Sequence, residues 1–194
     1  MRDMSKIPLP PAPGAAEHLG LALANSLVTL PGQELADELG TPEEATRWLI
    51  ENELAPRDTA LLPYCQNQLT ALRANVRSLL AAQVAGRPPE RSALEAVNRA
   101  LTGIASAPLL HYSEDRGLFR AAEHPVTQLV EHAMAQIAED TAALLTSDHS
   151  ATMAQCEAAP CDRFLIRSHA RRRWCSTRCG DRIRAARAYA RRQK

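Results

Sequence analysis

Four cysteines near the carboxyl end carry the clearest chemistry in the chain. Cys156, Cys161, Cys175 and Cys179 follow the pattern C-x4-C, thirteen intervening residues, then C-x3-C. Clustered thiol pairs in a chain kept under reducing conditions favour a metal over disulfides. Zinc takes four ligands at the corners of a tetrahedron, about 2.3 Å away for thiolate sulfur, and two short chelating turns joined by a loop supply that geometry. A segment of roughly forty residues buries too little apolar surface to fold on core packing alone. Metal binding would supply the missing folding free energy, on the order of 10 kcal/mol in comparable modules. Nearby arginines would help the thiols ionise. One structural Zn2+ held by these four cysteines is the expected cofactor. His169 lies inside the loop and is expected to be solvated rather than a ligand. Cys65 stands alone in a helical pattern and is expected to be a packed core thiol.

The same segment is strongly basic. Residues 151–194 hold 12 Lys/Arg against 3 Asp/Glu, whereas the whole chain of 194 residues carries a formal charge of only +1. The remaining body is therefore acidic, and an acidic body with a basic end suggests two units with different partners. Concentrated positive charge attracts polyanions. Lysine occurs once in the module and arginine dominates it; arginine stays charged and offers a planar fork that fits phosphate oxygens or a guanine edge. Arg171, Arg172, Arg173, Arg178, Arg182, Arg184, Arg187 and Arg191 are the candidate nucleic-acid contacts. The competing reading turns these arginines onto the body's own acidic face or onto a protein. After Cys179-Gly180 the spacing predicts a terminal helix with Ile183, Ala186 and Tyr189 or Ala190 on its apolar face. Trp174, just before the second cysteine pair, should pack under the metal site.

The elements that must position this module read as helices. Hydrophobic residues make up 45% and aromatics only 4%, which suits a helical core of Leu, Ala, Val and Ile better than a β-sandwich. Gly20–Leu30 is expected to be a helix ended by Pro31-Gly32. Thr41-Pro42-Glu43-Glu44 starts a helix, with Thr41 as cap and Pro42 in the first turn. Leu61, Leu62, Leu69, Leu72, Val76, Leu79 and Leu80 recur at helical spacing over residues 60–85, closed by Gly86 and Pro88-Pro89. Leu94, Val97, Leu101 and Ile104 predict a further helix over 90–103. Residues 107–122 read as a short β-hairpin around Glu114–Gly117. Pro125 should open a long helix reaching Leu145. The expected fold is mainly α: a helical bundle with one short β-hairpin, then a small zinc-finger module. The expected division is a disordered tail over 1–14, a helical domain over 15–150 and the finger over 151–194. The proline-rich start lacks an apolar signal core, and no apolar run approaches the ~20 residues that span a membrane. A cytoplasmic protein, with the nucleoid as one location, is expected.

The stretch CEAAPCDRFLIRSHARRRWCSTRCGDR resembles the CGNR zinc finger. The shared elements are Cys156 and Cys161, Phe164-Leu165, Arg172-Arg173-Trp174-Cys175-Ser176 and Cys179-Gly180-Asp181-Arg182. The body is similar to the ABATE domain, the finger's usual partner, through Leu21-Ala22-Leu23 with Asn25, Thr41-Pro42 leading to Trp48-Leu49, Ala71-Leu72-Arg73 and Val97-Asn98. The resemblance implies a bacterial, stress-induced transcription regulator with an N-terminal regulatory domain and a finger that binds DNA. Two positions depart from the family pattern: Asp181 replaces the eponymous Asn, and Ile166 stands where an acidic residue is usual.

The leading expectation is a zinc-containing DNA-binding transcription regulator. The alternative is an RNA- or protein-binding adaptor in which zinc is purely structural. Asn25, Trp48, Arg73 and Asn98 are polar or amphipathic residues on apolar helices and are candidates to line a pocket for a small-molecule effector. Satisfied core groups are the favoured reading of the same four, and a buried Arg73 would need an anionic partner. A homodimer is a further candidate assembly. No enzyme is expected: four thiolates leave no open zinc position, and no catalytic motif appears. His111, His124, His132 and His149 are scattered without readable partners.

Overall fold

The computed structural model describes residues 9–103, 109–121 and 128–193. The body is built on α3 (Pro63–Val84), whose Leu69, Leu72, Val76, Leu79 and Leu80 are buried. Around it lie α1 (Leu19–Asn25), α2 (Pro42–Glu51), α4 (Arg91–Thr102) and α5 (Leu129–Thr146). The spacings of three and four read in the sequence therefore place these five side chains in the core as expected, whereas Leu61 and Leu62 precede the helix, which starts at Pro63, and Leu62 is exposed. Thr41 caps α2, its hydroxyl accepting the Glu44 N–H at 3.2 Å, with Pro42 in the first turn. Helices α1 and α5 pack closely, because Gly20 faces Thr141 where any Cβ would overlap the threonine Oγ1. The start of α1 is also tied to the body of α5: Asp140 accepts the Gly20 N–H at 2.8 Å and faces His18 Nδ1 at 3.1 Å.

The hairpin is present as β3 (Leu109–Ser113) and β4 (Gly117–Ala121), antiparallel, with Tyr112 opposite Leu118. Ile104 and the Pro125 start of the long helix lie outside the described residues. The first helix ends earlier than its apolar run suggests. It stops at Asn25, and Leu27–Thr29 becomes strand β1, paired with β2 (Leu35–Asp37). Two forces end the helix. Ser26 donates its hydroxyl to the Leu23 carbonyl at 2.8 Å, and the β-branched Val28 and Thr29 favour extended backbone. Pro31-Gly32 forms the turn of this hairpin, with Gly32 at φ 86°. Among the described residues no helix is long and apolar enough to cross a membrane.

The carboxyl end adds β5 (Met153–Gln155), β6 (Phe164–Ile166) and α6 (Thr177–Arg192). The alternation of a strand divides β6 between two cores. Phe164 enters the body's core with Leu21, Val76 and Ile137, while Leu165 enters a second core with the four cysteines, Val28 and Ala36. Of the stretch expected as a disordered tail, residues 9–14 are ordered. Ala12 is buried beside the cysteines, Pro10 accepts Arg163 Nη2 at 2.9 Å, and Pro13 accepts the Ile166 N–H at 2.9 Å. Residues 9–14 therefore pack on the module, because β6 presents unpaired backbone and side-chain donors that this segment satisfies.

Candidate metal centre

Cys156 follows β5, Cys161 precedes β6, Cys175 lies just before α6, and Cys179 sits in its first turn. Their sulfurs all lie within 4.8 Å of one another, with Cys161–Cys175 and Cys175–Cys179 both at 3.7 Å. A tetrahedron of thiolates at about 2.3 Å from zinc has edges of about 3.8 Å. The donor set and spacing thus fit one zinc ion, and Cys156, Cys161, Cys175 and Cys179 are the residues that would hold it. All four are buried. His169 is exposed in the intervening loop and stands apart from the cluster.

Local structure fixes each sulfur. Ser176 caps α6, its hydroxyl accepting the Cys179 N–H at 3.2 Å, so Cys179 sits at the positive end of the helix. The Cys175 N–H points at Cys156 Sγ at 3.4 Å. Hydrogen bonding from Cys161 brings the Cys156 thiol down to about 7. Cys179 is also pushed below the usual thiol range, first by its contact with Cys156, whereas Cys161 and Cys175 are pushed up by theirs. Without a metal, the four crowded sulfurs compete for the same protons. A dication supplies the charge that lets all four ionise.

Zinc with four thiolates carries net negative charge, and the structure sets arginine against it. Arg163 is 3% exposed; its Nη1 approaches Cys175 Sγ at 3.9 Å. Arg182, expected on the nucleic-acid surface, instead turns inward and ties the first chelating loop through the Ala158 and Ala159 carbonyls. Arg163 was absent from the candidates read in the sequence. Strand alternation carried the signal: Leu165 faces the cysteines, so Arg163, two residues earlier, faces them as well. Trp174 packs under the site as expected. A Cβ at Gly180 would lie 2.8 Å from Trp174 Cε3, so the ring rests directly on the first turn of α6.

The other arginines divide into two groups. Arg173 is bound to Glu157, with Nε at 2.6 Å, and Arg184 to Asp181 at 2.5 Å while lying 5.6 Å from the Trp174 ring centroid. Arg171, Arg178, Arg187 and Arg191 are exposed, as is Arg192, and Arg172 is half-buried. The Arg173 hydrogen bond holds the Glu157 carboxyl below its ordinary range, with Arg167 and Arg187 adding to the effect. Arg167, at the end of β6, therefore belongs to this basic surface although it was not among the expected contacts.

Neither of two grooves among the described residues is lined by any of the four pocket candidates. Asn25 binds Phe164, Trp48 is buried in the body's core, and Asn98 is exposed on α4. Arg73 has the anionic partner its burial demands: Asp37 accepts Nη1 at 2.6 Å and Nη2 at 2.9 Å. The favoured reading of Asn25, Trp48 and Arg73 as satisfied core groups matches these contacts. A groove of ≈ 1350 Å³ lies elsewhere, between residues 50–65 and the start of α5, and Cys65 both packs on the core and borders it. His132 is buried, His111 stacks on Phe119, His149 meets His18 edge-on, and His124 lies outside the described residues.

Comparison with known families adds two findings. Residues 17–148 match the model of the ABATE family, described as "Putative stress-induced transcription regulator". Residues 153–192 match the model of the CGNR zinc finger. No curated protein matches the chain.

Proposed function

We propose that this chain, which belongs to the ABATE family and ends in a CGNR zinc finger, is a DNA-binding transcription regulator whose metal-clamped finger makes the DNA contact. One observation carries this reading. Each of the finger's three carboxylates already has a partner: Glu157 holds Arg173, Asp181 holds Arg184, and Asp162 binds Arg77 of the body at 2.7 Å. Three carboxylates cannot balance the 12 Lys/Arg of residues 151–194. Arg171, Arg187 and Arg191 remain exposed on a rigid frame. Fixed, exposed guanidinium groups suit phosphate contacts, which supply much of the affinity of proteins for DNA.

The helical body is the regulatory part in this reading. Asp162 also accepts the Thr29 N–H at 3.0 Å, and Asn25 binds the Phe164 backbone. Three residues, Asp162 to Phe164, thus connect Cys161 to α1, β1 and α3. A repacking of the body, whether by an effector or by assembly, would reach the metal loop through them. Zinc serves structure here, since four thiolates leave no coordination site for water, and no reaction is assigned to the protein.

The test is binding of the zinc-loaded full chain to duplex DNA across salt concentrations. The expected result is an affinity that falls linearly in log–log form with salt, together with enrichment of a defined sequence from random duplexes. Equal affinity for every polyanion, with no enriched sequence, would reject sequence-directed regulation.

A further inference from the structure

The last half of α6 has features that the metal site does not require. Ile183 is its final contact with the cysteine core. From Arg184 to Arg192 every residue but Ala188 is exposed, and Tyr189 is 65% exposed. Nine residues at about 1.5 Å each make a free rod roughly 13 Å long. Its faces differ in chemistry. At about 100° per residue, Arg184, Arg187 and Arg191 form one stripe. Ala185, Tyr189 and Arg192 lie on the side opposite Ile183, pointing away from the protein. No Asp or Glu lies between Asp181 and Lys194.

We infer that the free half of α6 enters the major groove of duplex DNA, with Arg184, Arg187 and Arg191 on phosphates and Tyr189 and Arg192 at base edges. This rests on the DNA-binding reading above and names the part of the finger that reads sequence. The argument is one of shape and charge. The major groove of B-form DNA is about 12 Å wide and admits one helix. The deep, narrow groove of duplex RNA does not. Alanines at 185, 186, 188 and 190 keep this rod slim, so its backbone can approach the bases. The side opposite Ile183 faces away from the cysteine core, and its residues are exposed. An arginine there can fork onto guanine, and an aromatic ring can meet a thymine methyl. The Arg184 stripe, on one flank, faces the phosphate wall. Trp174 and Asp181 steady its first member, so the helix is anchored at its root and open beyond.

The experiment compares three forms of the zinc-loaded full chain: the native protein, the double variant Arg187→Ala/Arg191→Ala, and the double variant Tyr189→Ala/Arg192→Ala. Each is tested on a selected duplex DNA, its scrambled duplex, the matching RNA duplex and single strands. Circular dichroism and zinc content check that each form is folded. Loss of Arg187 and Arg191 should weaken selected and scrambled duplexes alike and reduce the salt slope by about two. Loss of Tyr189 and Arg192 should cut the preference for the selected duplex by roughly tenfold or more. If the native protein binds DNA selectively and both variants match it, the helix assignment falls while the DNA-binding reading stands. Tighter binding to RNA than to DNA also overturns it. If the native protein binds no nucleic acid, both readings fall together.

Discussion

Asn25 holds the Phe164 peptide on both sides: its Nδ2 donates to the Phe164 carbonyl at 2.9 Å, and its Oδ1 accepts the Phe164 N–H at 2.8 Å. A side-chain amide thereby acts as one more strand beside β6, across 139 residues of sequence. All the groups involved are buried, so removing the amide leaves a peptide N–H and C=O without partners away from water. Each such loss costs about 1–3 kcal/mol. Asn25→Ala is expected to destabilise the chain by about 2–4 kcal/mol, read as a lower thermal midpoint, and to speed zinc release to a chelator. An unchanged midpoint would show that this pair contributes little to holding body and finger together.

Because Phe164 and Met153 belong to the body's core, metal and body should not behave as separate units. Chelation of zinc is expected to raise amide hydrogen exchange in α1 and β1 as well as in the finger. Cys175→Ser, which removes one of four ligands, should reproduce this without a chelator. Exchange confined to residues 153–192 would mean that the finger melts alone and that β6 does not transmit.

These couplings explain what the sequence could and could not reveal. The core of α3, the cap at Thr41 and the four cysteines are local patterns, repeated at fixed spacing, and each was legible. The end of α1 at Asn25 was not, since the apolar run continues to Leu30, whereas the Ser26 bond back to Leu23 and the pairing of Val28 and Thr29 with β2 appear only in the fold. The arginines pose the same problem. Charge can be read at each position, but a partner cannot. Arg73 meets Asp37, and Arg173 meets Glu157, only after the fold has brought distant segments together. Arg182 counts as surface charge in the sequence and serves as an internal tie in the structure.

Glu38 gives a pH-dependent prediction. Burial, and then the nearby Glu51, push its carboxyl above the ordinary value of 4.5. A raised acid binds its proton more tightly in the folded state. Stability is therefore lost as pH rises from the unfolded value through the folded one, and the deficit persists at neutral pH. Glu38→Gln removes the titration. It should raise the thermal midpoint at pH 7, with the two proteins converging below about pH 4. A gain of the same size at acid pH would assign the effect to packing instead.

Asp181 offers the most direct probe of the basic surface. It stands where the family pattern has asparagine, and its carboxylate, 68% exposed, engages Arg184 at 2.5 Å. An exposed pair of this kind adds little to stability, typically about 0–1 kcal/mol, so Asp181→Asn should melt almost as the native protein does. Its effect on binding should be larger. The substitution removes a negative charge from the root of the arginine stripe and frees one guanidinium for a phosphate. Affinity for duplex DNA at low salt should rise several-fold, and the salt dependence should steepen by up to about one phosphate contact. Glu157→Gln, which frees Arg173, should act in the same direction at the other edge of the surface. If both neutral variants bind DNA no better than the native protein, these carboxylates do not compete with the phosphates, and the contact surface lies away from Arg173 and Arg184.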